Sequence, residues 1–379
     1  MKKGLIFSLA YYPHVGGAEV AIKEITDRVA DVEWHMLTLR FTAQEARHER
    51  VGNVMVHRIG GGSSYFFKIL FIPQAAAEAW VLHRKEGFDF AWAMMLYMTF
   101  PLVLMRMMGM RVPYALTLQE GDPYSHVFER WYIKPFAPLL HSGLVHAKVV
   151  QTISTYLADW AKRNKYAGPI EVIPNGVDTK LFVGEKVEHD DTTLITTSRL
   201  VHKNAIDDVI RALPLLPAIV QFKILGVGTE ESKLKELSKK LGVESRVHFL
   251  GHVEHRDMPS LLHGADIFIR PSRSEGMGNS FIEAFAAGLP VIATQEGGIA
   301  DFLFDAKRNP EQPTTGWAVD VDSPEQIAAR VKEILGNQEA AEKVIETARK
   351  LALEKYSWEG IAADMREKVF NLLFKTQVQ

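Results

Sequence analysis

Between Arg270 and Thr294 the chain reads RPSRSEGMGNSFIEAFAAGLPVIAT. An apolar run ends there, a glycine turn follows, then an amphipathic stretch, a glycine stop and a second apolar run. That order predicts strand, turn, helix, strand. Asn279 and Ser280 are both good N-cap residues, so the helix is expected to begin at one of them. Gly288 ends it and Pro290 prevents its return. Glu275 then falls in the loop at the carboxyl end of a strand. Glu283 falls near the helix start, facing the same crevice. Gly276 and Gly278 let a ligand approach the backbone closely, and N–H groups at the helix start favour an anion. N–H groups for phosphate beside carboxylates for hydroxyls describe a nucleotide-diphosphate site.

The rest of the chain repeats this alternation. Strands are expected at 3–9, 34–39, 90–94, 114–118 and 149–152, with a helix over 18–29. The second half repeats the plan, with strands at 193–197, 222–225, 247–250, 267–270 and 291–293. Helices there are expected at 205–213, 231–241 and 258–263. Alternating strands and helices imply an α/β protein with parallel sheets covered on both faces. A chain of 379 residues exceeds a typical single core, so two domains are expected. Residues 181–191 lack hydrophobic periodicity and are rich in charge. They are the expected linker between a domain at 1–180 and one at 192–358.

Composition narrows the chemistry. The chain has no cysteine, which excludes disulfides, thiolate metal sites and thiol nucleophiles. Leu5 to Ala10 is too short for a secretory signal. Phe90 to Met105 is apolar but interrupted by Pro101, so a buried strand and packed helix fit it better than a membrane span. A cytoplasmic protein is expected. The net charge of −2 gives no sign of a nucleic-acid partner. Basic residues outnumber acidic ones over 1–180 and are outnumbered beyond it. A basic first half suits an anionic acceptor or a membrane surface, and ordinary surface variation explains it equally well.

As a whole, the 270–294 string resembles the E-x7-E signature of glycosyltransferase family 4, the retaining group 1 glycosyltransferases with the GT-B fold. YYPHVGGAE (Tyr11 to Glu19) is similar to that family's amino-terminal glycine loop, and IPNGVD (Ile173 to Asp178) to the end of its first domain. SRLVHKN (Ser198 to Asn204) resembles its basic phosphate motif, and YSWEGIA (Tyr356 to Ala362) the start of its closing helix. The resemblance implies two Rossmann-like, doubly wound domains facing each other across a cleft. It also implies that a last helix, 359–379, crosses back to the first domain.

The same resemblance assigns roles. Arg199 and Lys203 stabilise the departing nucleoside diphosphate; an isolated R-x-x-x-K would be two surface cations. Glu283 accepts hydrogen bonds from the ribose, and Glu275 contacts the donor sugar near the reacting centre. Gly276, Met277, Gly278 and Asn279 line the donor, and Val253 lies near the nucleobase. Gly16 and Gly17 permit close approach of the diphosphate, or are a plain strand-to-helix turn. The implied reaction moves a sugar, hexosyltransferase-like, from a nucleotide donor to a glycan or lipid-linked acceptor with retention. The acceptor attacks from the leaving-group face, without a covalent enzyme intermediate, as a diphosphate oxygen helps take its proton. No cofactor and no divalent metal are expected. A sugar-nucleotide epimerase of the same fold, or a non-catalytic partner subunit, are the alternatives.

Other features are weaker. Gly226 and Gly228 form a GxG, but Glu231 stands where a dinucleotide fingerprint has its third glycine. His248, His252 and His255 are close in sequence, yet neighbours on a strand point to opposite faces. Asp320 and Asp322 spell D-x-D in what reads as an ordinary loop. Many family members place a histidine after the strand ending near Leu118. This chain has Gln119, Glu120 and Asp122 there; Glu120 and Asp122 are the candidate replacements, with His126 a further one. Tyr65 to Leu70, Met105 to Arg111 and Trp131 to Phe136 set aromatic and apolar residues beside cations. They are either core filler or a weak, salt-sensitive contact with a membrane surface.

Overall fold

The computed structural model describes residues 1–187 and 191–374. The chain forms two compact units: Met1–Asn175 with Trp358–Gln379, and Gly176–Ser357.

The strands of the first unit are β1 (Lys2–Phe7), β2 (Val32–Leu39), β3 (His48–Val51), β4 (Val54–Ile59), β5 (Phe90–Met94), β6 (Tyr114–Leu118), β7 (Val149–Thr152) and β8 (Ile170–Val172). They make one sheet in the order β3-β4-β2-β1-β5-β6-β7-β8. All pairs are parallel except β3 with β4, which closes one edge as an antiparallel hairpin. The strands are nearly continuous runs of buried residues, as a sheet covered on both faces requires. The Gly17–Arg28 helix covers one face with Ala21, Ile22 and Ile25, a helical period on one stripe. The returning segment from Trp358 packs on the same face. Phe370 sits 5.2 Å from Trp34, 5.3 Å from Trp92 and 5.9 Å from Phe90, ring centre to ring centre. The expected closing helix thus begins at Trp358 and is described to Phe374; its last expected residues, 375–379, lie outside the described residues.

The second unit contains β9 (Thr192–Thr197), β10 (Val220–Leu225), β11 (Val247–Gly251), β12 (Ile267–Arg270), β13 (Val291–Ala293) and β14 (Trp317–Ala318). Their order is β11-β10-β9-β12-β13-β14, all parallel. In both units successive strands are laid down to one side of the first strand and then to the other. This is the doubly wound plan, in which ligands bind beyond the carboxyl ends of the strands where the direction reverses. Those positions are β1/β5 in the first unit and β9/β12 in the second.

The passage between units lies at Asn175/Gly176 rather than in the charge-rich 181–191 segment. Thr179–Phe182 is a helix capped by Asp178, whose Oδ1 accepts from the Lys180 and Leu181 N–H groups at 3.2 Å. Phe182 is fully buried, and the Val187 N–H donates to the His263 carbonyl at 2.9 Å. Charges on this stretch hide a segment anchored on the second unit by its backbone and one aromatic ring. Residues 188–190 of the expected linker lie outside the described residues.

Candidate functional site

At the switch point of the second unit, the loops after β9 and β12 lie side by side. Arg199 and Lys203 both belong to the β9 loop, Arg199 exposed and Lys203 half-buried. The loop is held from several directions. Asn204 Nδ2 donates to the Arg199 carbonyl at 2.7 Å, and Arg273 Nη1 to the His202 carbonyl at 2.8 Å. The Arg273 N–H donates to the Lys203 carbonyl at 2.7 Å, stitching the two loops together. Ala205, where the next helix begins, takes the left-handed φ of 53°, a conformation costly for any residue with a Cβ. The GxG after β10 has a local task. A Cβ at Gly226 would lie 1.8 Å from the Ser198 carbonyl oxygen, and one at Gly228 would lie 2.2 Å from that of Leu200. These glycines let the β10 loop back directly onto the cationic loop.

Arg273 itself is clamped. It donates to Asp207 at 2.9 Å, Asp208 at 3.1 Å and Asp322 at 2.7 Å. Burial would raise the Asp207 carboxyl, but hydrogen bonds from Arg273 and Arg211 outweigh it and hold Asp207 below its usual range. Burial and the neighbouring Asp207 push Asp208 up. Asp322 of the D-x-D thus serves this cluster, while Asp320 pairs with Arg308 at 2.8 Å; the two carboxylates face different arginines.

The β12 loop carries the carboxylates. Glu275 is fixed at both oxygens: Oε2 accepts from Arg270 Nη2 at 2.8 Å and Oε1 from the Gly276 N–H at 3.0 Å. Arg270, fully enclosed, also donates to Ser280 Oγ at 2.8 Å and lies 4.2 Å over the Phe281 ring. Burial lowers its pKa, and Glu275 and Glu283 oppose that. The helix spans Asn279–Ala286 with Gly278 as its N-cap at φ 87°, and no side chain caps it. The expected caps, Asn279 and Ser280, are therefore the first helical residues instead. The Ser280 hydroxyl is turned to Arg270, and a Cβ at Gly278 would lie 2.5 Å from Arg270 Nη2. Gly288 at φ 77° ends the helix as expected. Glu283, mostly buried in the second turn, meets His255 Nε2 at 3.1 Å. His255 lies in the β11 loop that also holds Val253, so that loop reaches the same helix.

Buried polar atoms without partners mark the spot. The hydroxyls of Thr196, Thr197, Ser198 and Ser272, and Arg270 Nε, are buried without hydrogen-bond partners at the ends of β9 and β12. Native interiors rarely leave such groups unpaired except where function requires it. The sequence-expected Arg199, Lys203, Gly276, Met277, Gly278, Asn279, Glu275, Glu283 and Val253 thus all lie on loops, or a helix start, at the carboxyl end of one sheet. Arg270, Arg273 and His255 are additions to that set. Arg270 was visible as a cation closing the apolar run IFIR; nothing in the sequence marked the Arg273 cluster.

The first unit treats its candidates differently. The Gly16 N–H is taken by its own Glu19, Oε2 at 2.8 Å, so a carboxylate already occupies that helix start. Nothing crowds a Cβ at Gly17, whose nearest neighbour is Asn175 Nδ2 at 3.8 Å. Glu120 is buried, with one oxygen accepting from the Leu96 N–H at 2.7 Å and the other from the Gln119 N–H at 2.8 Å. It braces the end of β6 against the end of β5, where Met95 has a strained φ of 70°. Burial pushes its carboxyl up despite those bonds. Asp122 is exposed and His126 half-buried, 4.0 Å apart. The Gln119 amide and the Tyr11 hydroxyl are buried without partners.

The three histidines near β11 do not converge: His248 meets Gln221, His252 meets Glu254 and His255 meets Glu283. Glu33, His35 and Glu86 in the first unit do cluster, but Lys3 Nζ stands among them, 2.8 Å from Glu86 and 3.4 Å from Glu33. That ammonium supplies the positive charge the carboxylates need.

Each unit is a doubly wound α/β sheet, the class in which ligands bind beyond the carboxyl ends of the strands. The family Glycosyl transferases group 1 matches residues 177–351, and Glycosyltransferase Family 4 matches residues 15–181. An uncharacterized glycosyltransferase of Methanocaldococcus jannaschii is 23% identical over 94% of this chain and 95% of its own. Among solved structures, a sucrose-phosphate synthase from Thermosynechococcus elongatus superposes with a TM-score of 0.86 at 18% identity, covering 100% of both chains. Anabaena HepE in complex with UDP-glucose gives 0.78 at 17% identity, covering 98% of this chain and 100% of its own. The chain belongs to the group 1, family 4-like glycosyltransferases and has the GT-B fold.

Proposed function

We propose that the protein transfers a sugar from a nucleotide diphosphate to an acceptor hydroxyl with retention of anomeric configuration. The observation that carries this is the convergence on one switch point of the Arg199–Lys203 loop, an uncapped helix start and two carboxylates. Arg199 and Lys203 meet the diphosphate, whose negative charge grows as the glycosidic bond breaks; fixed cations act most strongly on that developing charge. The Asn279–Ala286 helix start adds its dipole. Glu283, shared with His255, accepts from the ribose hydroxyls. Glu275, locked by Arg270 and Gly276, presents a carboxylate of fixed orientation beside the sugar. The acceptor binds the first unit, where Asp122 is exposed, His126 is half-buried and Glu120 braces the loops. The hydroxyl attacks from the leaving-group face, and a diphosphate oxygen takes its proton. A nucleotide-sugar donor is supported by the UDP-glucose complex of HepE.

Incubation with a panel of nucleotide sugars, with and without glycan and lipid-linked acceptors, tests this. Product must form only with acceptor, and its new linkage must keep the donor's anomeric configuration by NMR. Conversion of donor alone to an isomeric nucleotide sugar would show an epimerase instead. Inverted product would remove the retaining mechanism. Since Arg199, Lys203 and the helix start supply positive potential, we also expect activity to persist in EDTA; loss restored by Mg²⁺ would contradict this.

A further inference from the structure

The first unit exposes an apolar band that its own core does not claim. Tyr65, Phe66 and Ile69 begin the Tyr65–Glu86 helix and are 64%, 67% and 59% exposed; Trp131 is 83% exposed. These side chains are not core filler. The helix buries Phe71, Ala75, Ala76, Ala79 and Leu82 instead, so its first turns stand clear of the sheet.

The exposed residues belong to one surface. The Tyr65–Glu86 helix packs beside Thr99–Met107, and that helix beside Ala137–Val145. Tyr97 ties the pieces together. Its ring stacks 6.1 Å from Phe100, which meets Phe136 at 6.4 Å. Burial first and then the Glu120 carboxylate raise its hydroxyl to about 12, and Arg130, Tyr65 and Tyr132 are also near enough to act on it. Trp131 meets Tyr132 edge-on at 5.7 Å. Lys68, Arg130 and Lys134 lie on the same segments as the exposed side chains, and Glu129 is the only carboxylate across residues 61–77 and 129–136.

Apolar anchors rimmed by cations suit a surface of anionic headgroups over hydrocarbon. They do not suit a second copy of the chain, because a two-fold contact would set the same cationic rim against itself. We propose that this face docks the protein on an anionic lipid bilayer, with Phe66, Ile69 and Trp131 at the headgroup–acyl boundary and the cations over lipid phosphates. The mode is peripheral. The Tyr65–Glu86 helix has the length and composition to cross a membrane, but its lower face is already committed to the first unit. Tyr97 directly follows β5, so the docked face adjoins the loops braced by Glu120. A lipid-linked acceptor would then meet the first unit at the surface that carries it. The docking itself does not depend on the donor chemistry.

The test is co-sedimentation of the full chain with vesicles of phosphatidylglycerol and phosphatidylcholine, or of phosphatidylcholine alone, at low and high salt. Binding is expected only with the anionic vesicles and only at low salt. Lys68→Gln and Lys134→Gln should each lower partitioning about fivefold, the factor one near-surface cation contributes. Phe66→Glu and Trp131→Glu should abolish it, with unchanged Tm because both side chains are exposed. Trp131→Phe should keep binding but lose a vesicle-induced blue shift of tryptophan fluorescence. No sedimentation at low salt overturns the proposal. So does undiminished binding of the two Glu variants, or a dimer of the native chain that those variants dissolve.

Discussion

At the scale of single residues, charge placement separates binding from chemistry. On the proposed reading, Arg199→Ala and Lys203→Ala each remove a cation from the leaving diphosphate, and kcat should fall about 10²–10³-fold with little change in Tm. Turnover and thermal melts on the two variants check this; wild-type turnover in both would remove the assignment. In its proposed role Glu283 would contact the ribose similarly in ground and transition states, so Glu283→Gln should raise KM. In its proposed role Glu275 would face the centre where charge develops, so Glu275→Gln should lower kcat. Initial rates at varied donor concentration separate the two, and the opposite pattern would exchange their roles. His57 gives a pH prediction. Its burial first, then His35 and His48, lower its pKa to about 4, with Lys85 lowering and Glu86 raising it. Its ordinary value is 6.5, so between pH 6.5 and 4 the unfolded chain binds a proton the folded chain refuses. Stability should be unaffected by this group above pH 6.5 and should fall as pH drops toward 4. Tm measured against pH for wild type and His57→Gln should show a shallower fall in the variant; equal slopes would place the effect elsewhere.

At the scale of elements, the Arg273 cluster decides how the β9 and β12 loops meet. Arg273→Ala leaves Asp207 and Asp208 with Arg211 as their remaining arginine partner and strands acceptors that Arg273 had satisfied, which should cost about 1–3 kcal/mol of stability. It should also lower kcat, since the Lys203 loop loses the side-chain bond to the His202 carbonyl and keeps only the backbone bond at Lys203 as its tie to the Glu275 loop. Arg273→Lys should not restore activity, because one ammonium cannot reproduce a planar fork serving three carboxylates and a carbonyl. Denaturation curves and turnover on both variants check this. None of it was legible in sequence. Arg273, Asp207, Asp208 and Asp322 have no local spacing that joins them; tertiary folding does. By contrast β5, β6, β7, β12 and β13 lie where their apolar runs put them, because buried parallel strands leave no polar alternation to blur their ends. The β3–β4 hairpin and the Tyr65–Glu86 helix went unread. HERV is exposed and polar at a sheet edge, and a helix whose apolar residues lie on several faces shows no clean stripe. The loop glycines and both glutamates could be read because their demands are local: a positive φ, a close backbone approach, a helix start. The cap falls at Gly278, one or two residues before the expected Asn279 or Ser280, and Arg270, ten residues away in sequence though near in space, takes the Ser280 hydroxyl.

At the scale of the whole molecule, the two units should respond to different ligands. Nucleoside diphosphate at about a hundred times its Kd should stabilise the protein by about 2.7 kcal/mol. Hydrogen exchange should place that protection at 198–204, 253–255 and 275–283. A true acceptor should instead slow exchange in residues 1–175; protection confined to 192–357 would remove the acceptor assignment to the first unit. The path of the chain has its own outcome. Phe370 is wedged among Trp34, Phe90 and Trp92, yet the whole second unit lies between them in sequence. On a ribosome adding 5–20 residues per second, the first unit's aromatic face must wait roughly 10–40 s for its cover, while the second unit can finish in the interval. A nascent chain stalled before Trp358 should therefore carry a folded second unit behind an unsealed first one, and that is the species a chaperone would meet.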